Sequence, residues 1–404
     1  LHVFWRSMLG TINKLLDTLN SQFESPENKK RLSCWQGDQP GIRAETQWHG
    51  VPNYAVSDFR PMPVTVECQD KIWQEKLGLD FKRYFVDPDY YLEYYLRMRL
   101  AKFKLFSDDT PLTRDIPVCF GVTHEAGLMG QEIHLDHGEE PAFSNTPCVS
   151  DSYDFDVPID FSDNPFLKMA VPFYERIRNL VGNEFNVIFP IWYRGPQGVA
   201  LYTRGFQEFS LDLYFQSAFA DRLLRYITDT AKAYWTWRAD YLEEPIGKGD
   251  LFNDDIPLMS PEMYEQRFLP FEQEMVDFYG GVYYWHSCGD TTKHISSISK
   301  LRDVELLDLG VSILDKKPAL EALTNPEQAV ELRVFAQPYV QECSEEQAKR
   351  YLLKMLAECS QKGLTRYVVR SSGMSIVFGA DEDIRRLARW VDIAREAQNE
   401  VDQP

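Results

Sequence analysis

The sequence lacks the positive charge and the long apolar runs that would indicate a nucleic-acid or membrane partner. Its 404 residues carry 43 Lys and Arg against 62 Asp and Glu, which gives a formal net charge of −19. Such a chain offers no broad basic face to a phosphate backbone, so nucleic-acid binding is not expected. No window approaches about 18 uninterrupted apolar residues, so no transmembrane helix is predicted.

Cysteines are also few, and linker-like segments are missing. The 7 cysteines are an odd number spread over a long chain, which does not suit a disulfide framework. Residues 1–7 are apolar but lack the basic stretch of a signal peptide, and Met8 is a candidate for the natural first residue. The sequence has no repeat, low-complexity tract or Gly/Ser linker. We therefore expect a globular, cytoplasmic protein.

From about residue 60 onward, short apolar runs alternate with longer amphipathic stretches. The runs predict strands, and four of the stretches predict clear helices. The strands are 64–67, 117–123, 186–193, 240–244, 282–286, 304–309, 332–336 and 365–370, and the helices are 218–237, 261–279, 344–361 and 381–397. Eight strands separated by helices predict an α/β fold, a parallel (β/α)8 TIM barrel over residues 61–404. Residues 1–60, helical around 13–23 and then irregular, are predicted to form an N-terminal helical extension.

Polar side chains follow several of the predicted strands. His286 and Cys288 come at the end of strand 282–286, and the acid pair Glu243 and Glu244 ends strand 240–244. In a (β/α)8 barrel the active site lies at the carboxyl ends of the strands. Because imidazole, thiolate and carboxylate groups are metal ligands, the sequence predicts a metal-capable site at this face.

Three stretches resemble the uroporphyrinogen decarboxylase (URO-D) superfamily. They are Gly195-Pro196 with Tyr-Thr-Arg-Gly-Phe at 202–206, the segment 249–270 with Met-Ser-Pro-Glu-Met at 259–263, and His-Ser-Cys-Gly-Asp at 286–290. Their order and spacing are similar to the superfamily over roughly residues 185–395. One of its branches decarboxylates uroporphyrinogen. The other transfers methyl groups between corrinoid proteins and small molecules, using a zinc held by a His-x-Cys pair and a later cysteine.

The sequence departs from both branches. The N-terminal Ala-Gly-Arg core and the late Gly-His-Gly loop of the decarboxylases are missing, so porphyrin decarboxylation is not expected. His286 and Cys288 favour the methyltransferase branch, but its late cysteine falls at Ser371 or Ser372. A third metal ligand would then be another acid or thiol, and the candidates are Glu243, Glu244, Asp308 and Cys148.

The favoured hypothesis is a corrinoid-linked methyltransferase that demethylates a small O-methyl substrate, such as an aryl ether. The methyl group would pass to a cobalamin protein docked over the barrel mouth, and a homodimer is compatible with this interpretation. A zinc ion at His286, Cys288 and Glu244 would act as a Lewis acid. The leaving group would take a proton from Glu243 or Asp254. The predicted substrate-binding residues are Trp192, Arg194, Tyr284 and Arg370.

Two other functions stay open from the sequence. A decarboxylase or other lyase acting on a non-porphyrin carboxylic acid would need cationic groups at the barrel mouth, and Arg194, Arg204 and Arg370 are available. A metal-free binding barrel is the second alternative, and the absence of the late cysteine is its main support. Metal content separates the first hypothesis from the binding barrel.

Overall fold

The computed structural model describes residues 2–36, 62–325 and 327–401. The predicted extension is helical at its start, and its irregular part lies mostly outside the described residues. None of the helices in these ranges is long and apolar enough to span a lipid bilayer.

Ten strands are present in the described ranges, and eight of them build the barrel. The strands are β1 (Val64–Cys68), β2 (Asp115–Pro117), β3 (Ile133–His134), β4 (Ala142–Phe143), β5 (Asn186–Ile188), β6 (Gly249–Phe252), β7 (Val282–His286), β8 (Val304–Leu309), β9 (Ala329–Phe335) and β10 (Tyr367–Met374). Six form one parallel sheet in the order β1-β10-β9-β8-β7-β6, and β2 pairs in parallel with β5. The other two, β3 and β4, form an antiparallel pair after β2.

Two contacts join the six-stranded sheet to the β2–β5 pair. An isolated parallel bridge between Arg194 and Phe252 links the segment after β5 to the end of β6. On the other side the Asp109 amide donates to the Val64 carbonyl at 2.8 Å, which brings the segment before β2 to the edge of β1. The eight strands thus follow the circular order of a (β/α)8 barrel, which confirms the predicted fold class.

Helices surround this sheet. They are α1 (His2–Phe23), α2 (Pro26–Gln36), α3 (Asp70–Leu77), α4 (Phe81–Tyr84), α5 (Pro88–Leu105), α6 (His124–Leu128), α7 (Pro165–Val181), α8 (Pro196–Arg204), α9 (Phe206–Phe215), α10 (Ser217–Leu242), α11 (Pro261–Met263), α12 (Leu269–Tyr279), α13 (Ile295–Ile298), α14 (Lys317–Ala322), α15 (Glu345–Lys362) and α16 (Ala380–Val401). Short polar caps begin several of them. Ser260 accepts from the Met263 amide at 3.1 Å at the start of α11, and Ser344 forms a capping box with Gln347 at α15.

The predicted strand 240–244 is wrong. Residues 240–242 are the last residues of α10, and its buried positions Ala231, Tyr234, Trp235 and Arg238 keep helical spacing. The strand comes later in the chain, as β6. A run of five residues is too short to distinguish the repeat of a strand from that of a helix, and this run overlaps the end of a helix of 26 residues. The predicted bounds of β7 and β8 are confirmed. β5 is shorter than the predicted strand 186–193, and β2 overlaps the predicted strand 117–123 only at Pro117.

Glu243 ends α10 in the left-handed conformation, with φ of 56°. Its side chain is exposed, and a residue without a Cβ adopts this conformation at lower cost. We therefore expect Glu243→Gly to raise the free energy of unfolding by about 0.5–1 kcal/mol in urea denaturation. The control is Glu244→Gly at the next residue, where φ is not positive and no gain is expected. Equal effects of the two variants would contradict this explanation.

Candidate metal centre

The carboxyl ends of two neighbouring strands, with the loops that follow them, bring together three side chains of the kinds that can bind a metal ion. His286 is the last residue of β7, Cys288 follows two residues later, and Asp254 follows β6. One ligand atom from each lies within 4.8 Å of the other two. In the described parts of the chain, this is the one group of three or more such side chains close enough to share a metal ion.

The geometry of this cluster is that of an open, three-ligand site. His286 Nε2 lies 3.3 Å from Cys288 Sγ and 3.4 Å from Asp254 Oδ1. His286 is buried, Asp254 is half-buried and Cys288 is exposed, so the cluster opens toward solvent at the thiol. One nitrogen, one sulfur and one oxygen donor suit zinc, and three protein ligands with a free position are typical of catalytic zinc.

A buried carboxylate orients the imidazole for this role. Asp308, on β8 and fully buried, lies with Oδ2 2.6 Å from His286 Nδ1. A proton on Nδ1 that is donated to Asp308 leaves the Nε2 lone pair directed at Cys288 and Asp254. Metal-binding histidines in proteins usually carry this kind of outer carboxylate. The residues present therefore fit a metal ion held at Nε2.

The electrostatics of the cluster also favour a cation. Burial alone would lower the pKa of His286, but Cys288, Asp254 and Asp308 outweigh it and raise the pKa well above its usual value. Burial alone would raise the pKa of Asp254, but His286, Arg194 and the Cys288 amide lower it overall. Asp254 is thus a carboxylate, and the positive charge that the cluster attracts onto the imidazole is one that a metal ion can replace.

Below the cluster, the barrel interior holds a layer of buried charges. Glu67 on β1 accepts from Arg370 at 2.6 Å and from Ser372 at 2.7 Å, and it lies 3.5 Å from Arg333. Arg370 also contacts Glu331 at 3.3 Å. These buried groups pair mainly with one another, and this charged layer forms the floor of the site.

Ser372 stands where the resemblance places a late cysteine ligand. Its hydroxyl accepts a hydrogen bond from Arg333 Nε at 3.0 Å and donates to Glu67. The neighbouring Ser371 is fully buried. The third ligand position of the cluster is supplied instead by Asp254, from the loop after β6.

Glu243 and Glu244, predicted as proton donor and metal ligand, lie at the opposite end of the barrel. Glu244 lines a cavity together with Asp115, Asn186 and Gly249, the first residues of β2, β5 and β6. Both predictions rested on a strand that is in fact the end of α10, and the structure brings neither residue to the cluster. The other candidate ligand, Cys148, donates its thiol to the Met129 carbonyl at 3.7 Å and is not part of the cluster.

The four predicted substrate-binding residues are placed in different environments. Trp192 is fully buried and donates its indole N–H to the Arg194 carbonyl at 3.0 Å. Tyr284 and Arg370 are buried in the charged layer, where both contact Glu331. Two of the four reach the cluster: Arg194 Nη1 lies 3.8 Å from Asp254 Oδ2, and the Tyr284 hydroxyl lies 3.4 Å from His286 Nδ1. Arg194 and Tyr284 therefore lie beside the cluster, whereas Trp192 and Arg370 make their polar contacts with other groups.

Sequence reasoning missed Arg333 and Glu67. A signal was present in β9, where Glu331 and Arg333 alternate with aliphatic residues in a strand that the sheet buries on both faces. Two charged side chains on one face of a buried strand have to meet opposite charges inside the barrel.

Comparisons with known proteins define the family. The model of the uroporphyrinogen decarboxylase (URO-D) family matches residues 113–395, which is more than half of the chain. The chain belongs to this family. Its fold is similar to the solved structure of a methyltransferase from Methanosarcina mazei, with a TM-score of 0.53 and 16% identity over 79% of this chain and 89% of that chain. A search of curated proteins found no match.

Proposed function

We propose that this chain is a zinc-dependent methyltransferase that passes a methyl group between a small O-methyl substrate and a corrinoid protein. The observation that carries the proposal is the cluster of Asp254, His286 and Cys288 at the barrel mouth, with Asp308 fixing the imidazole. Family membership and the name of the similar solved structure support it.

Each residue of the cluster has a defined task in this proposal. His286 Nε2, Cys288 Sγ and Asp254 Oδ1 hold the metal, and the Cys288 amide donates to Asp254 Oδ1 at 2.8 Å, which fixes the carboxylate. When bound, zinc supplies a Lewis acid for the heteroatom that carries the methyl group. A carboxylate is a harder ligand, in the sense of hard and soft Lewis bases, than a thiolate. A site that contains one therefore favours an ether or alcohol oxygen as the substrate atom bound to the metal.

The transfer itself breaks the bond between oxygen and the methyl carbon. The methyl carbon would be taken up by the Co(I) centre of the partner's corrinoid, which supplies the electron pair of the new cobalt–carbon bond, and the oxygen would leave with the electrons of the broken bond and take a proton. The exposure of Cys288 puts solvent beside the cluster, so water can supply that proton. Glu243 is too far away to do so, and Asp254 is held as a carboxylate.

Two of the three arginines that a carboxylic-acid lyase would need, Arg204 and Arg370, are closely paired with carboxylates. Arg194 lies near Asp254 and Asp255, Arg204 pairs with Asp151 and Asp212, and Arg370 pairs with Glu67 and Glu331. A guanidinium that is balanced by two carboxylates offers little net attraction to a substrate anion. This arrangement favours the methyltransferase over the decarboxylase.

The test is a transfer assay with free cob(I)alamin and a panel of methoxy compounds, aryl ethers included. We expect the zinc-loaded protein to methylate the cobalamin from at least one donor, and Asp254→Ala to abolish the reaction. The control variant is Asp255→Ala, which removes the adjacent carboxylate but no proposed ligand. Zinc-loaded protein that transfers from no donor, in either direction, would argue against the proposed reaction.

A further inference from the structure

Arg333, near the end of β9, contacts the metal cluster from the floor of the barrel. Its side chain is buried, and its Nη1 atom faces three groups at once. Nη1 lies 3.1 Å from Asp308 Oδ2, 3.3 Å from His286 Nδ1 and 3.8 Å from Cys288 Sγ. The other two nitrogens are engaged by Ser372 and Glu67, so the guanidinium is held in place from both sides.

The protons of this group can be assigned from the distances. His286 Nδ1 already carries the proton that it shares with Asp308 at 2.6 Å, so it cannot accept another from Arg333. The two N–H bonds of Nη1 are then left for Asp308 Oδ2 and Cys288 Sγ. A distance of 3.8 Å is within the range of N–H···S contacts, which are longer than those to oxygen. One cation therefore touches both the carboxylate that orients the histidine and the sulfur of the thiol ligand.

We propose that Arg333 is a positioning residue that tunes the metal centre through these two contacts. By holding Asp308, it fixes the tautomer and orientation of His286. By donating to Cys288, it withdraws electron density from the sulfur, and hydrogen bonding around a cysteine ligand is a known means of tuning a metal site. A weaker sulfur donor leaves a stronger Lewis acid for the substrate oxygen. This inference rests on the proposed metal site.

Arg370 provides a matched control. It lies beside Arg333 in the register of β9 and β10, it is equally buried, and it shares Glu67 as an ion-pair partner. Its second partner is Glu331 rather than Asp308, and it contacts neither His286 nor Cys288 in the described structure. Replacing it removes a comparable buried charge while leaving the cluster untouched.

The experiment uses Co²⁺ in place of zinc, because a cobalt–thiolate bond gives a charge-transfer absorption band. Co²⁺ is loaded into the full-length protein and into three variants, Arg333→Gln, Arg333→Lys and Arg370→Gln. The zinc affinity of each is measured by competition with a chelator. Circular dichroism checks that each variant folds. We expect the band to move to lower energy in Arg333→Gln, because the sulfur loses its hydrogen bond, and to stay in place in Arg370→Gln. Zinc affinity should fall roughly 10–100-fold in Arg333→Gln, because Asp308 is no longer held against His286, and should stay unchanged in Arg370→Gln.

Arg333→Lys covers the case in which Arg333→Gln does not fold. Lysine keeps the charge but cannot direct two parallel N–H bonds at two acceptors, so the same band shift is expected at a smaller loss of affinity. Equal spectra and affinities for the Arg333 and Arg370 variants would overturn the inference while leaving the metal site intact. Failure of the unmodified protein to bind Co²⁺ or zinc would instead overturn the proposed function, and this inference with it.

Discussion

Replacing Asp254 with alanine is expected to lower the zinc affinity of the protein by more than about 100-fold. Loss of an outer-shell partner alone commonly costs 10–100-fold, and Asp254 is proposed as one of three direct ligands. Its removal leaves His286 and Cys288, two ligands on one loop, which cannot enclose a tetrahedral ion. Competition titrations with a coloured chelator measure the change.

Asp255 makes this test specific. It lies next to Asp254 in the chain and, at 4.0 Å, about as far from Arg194, but it is not in the cluster. Asp255→Ala should therefore retain most of the affinity for zinc. If both variants lose affinity to the same extent, a general electrostatic attraction of the acidic mouth explains binding better than a defined ligand does.

Glu67→Gln is expected to lower the free energy of unfolding by about 3–5 kcal/mol, which is typical of breaking a buried ion pair. Glu67 Oε2 accepts from Arg370 and Ser372 and faces Arg333, and all of these groups are buried. With a neutral amide at position 67, only Asp308 and Glu331 balance the buried charges of Arg333 and Arg370. The amide N–H group would also face hydrogen-bond donors, which leaves it without an acceptor. Urea denaturation at neutral pH measures the effect.

The comparison variant for Glu67 is Glu305→Gln. Glu305 also pairs with a cation, Lys248, but both side chains are about one-third exposed, at 28% and 34%. Solvent screens such a pair, so its loss should cost less than about 1 kcal/mol. A loss for Glu67→Gln that is no larger than that of Glu305→Gln would show that the charged layer does not stabilise the barrel.

Much of the barrel was predictable because its strongest strands carry local signals. β7 and β8 are short, mostly apolar runs bounded by turn residues, and the predicted bounds are those of the structure. The pair His286 and Cys288 could be assigned to a strand end for the same reason. The prediction for β5 was too long and that for β2 was displaced toward the C-terminus, since the apolar residues that follow both strands are buried in loops rather than in a ladder.

The rest of the site depends on contacts that no local pattern shows. Arg333 and Glu67 are 266 residues apart, and only the register of β1, β10 and β9 brings them together. The third ligand was ambiguous for a similar reason. Asp254 is 34 residues from Cys288, and its place in the cluster depends on how the loop after β6 folds over the end of β7.

Elemental mass spectrometry of the protein purified without chelator tests the metal centre most directly, beside a His286→Ala/Cys288→Ala double variant. We predict about one zinc per chain in the unmodified protein, and none in the double variant. Absence of metal from the unmodified protein, with no uptake of zinc during dialysis, would contradict the proposed metal-dependent methyl transfer. It would instead favour a barrel that binds its ligand without a metal.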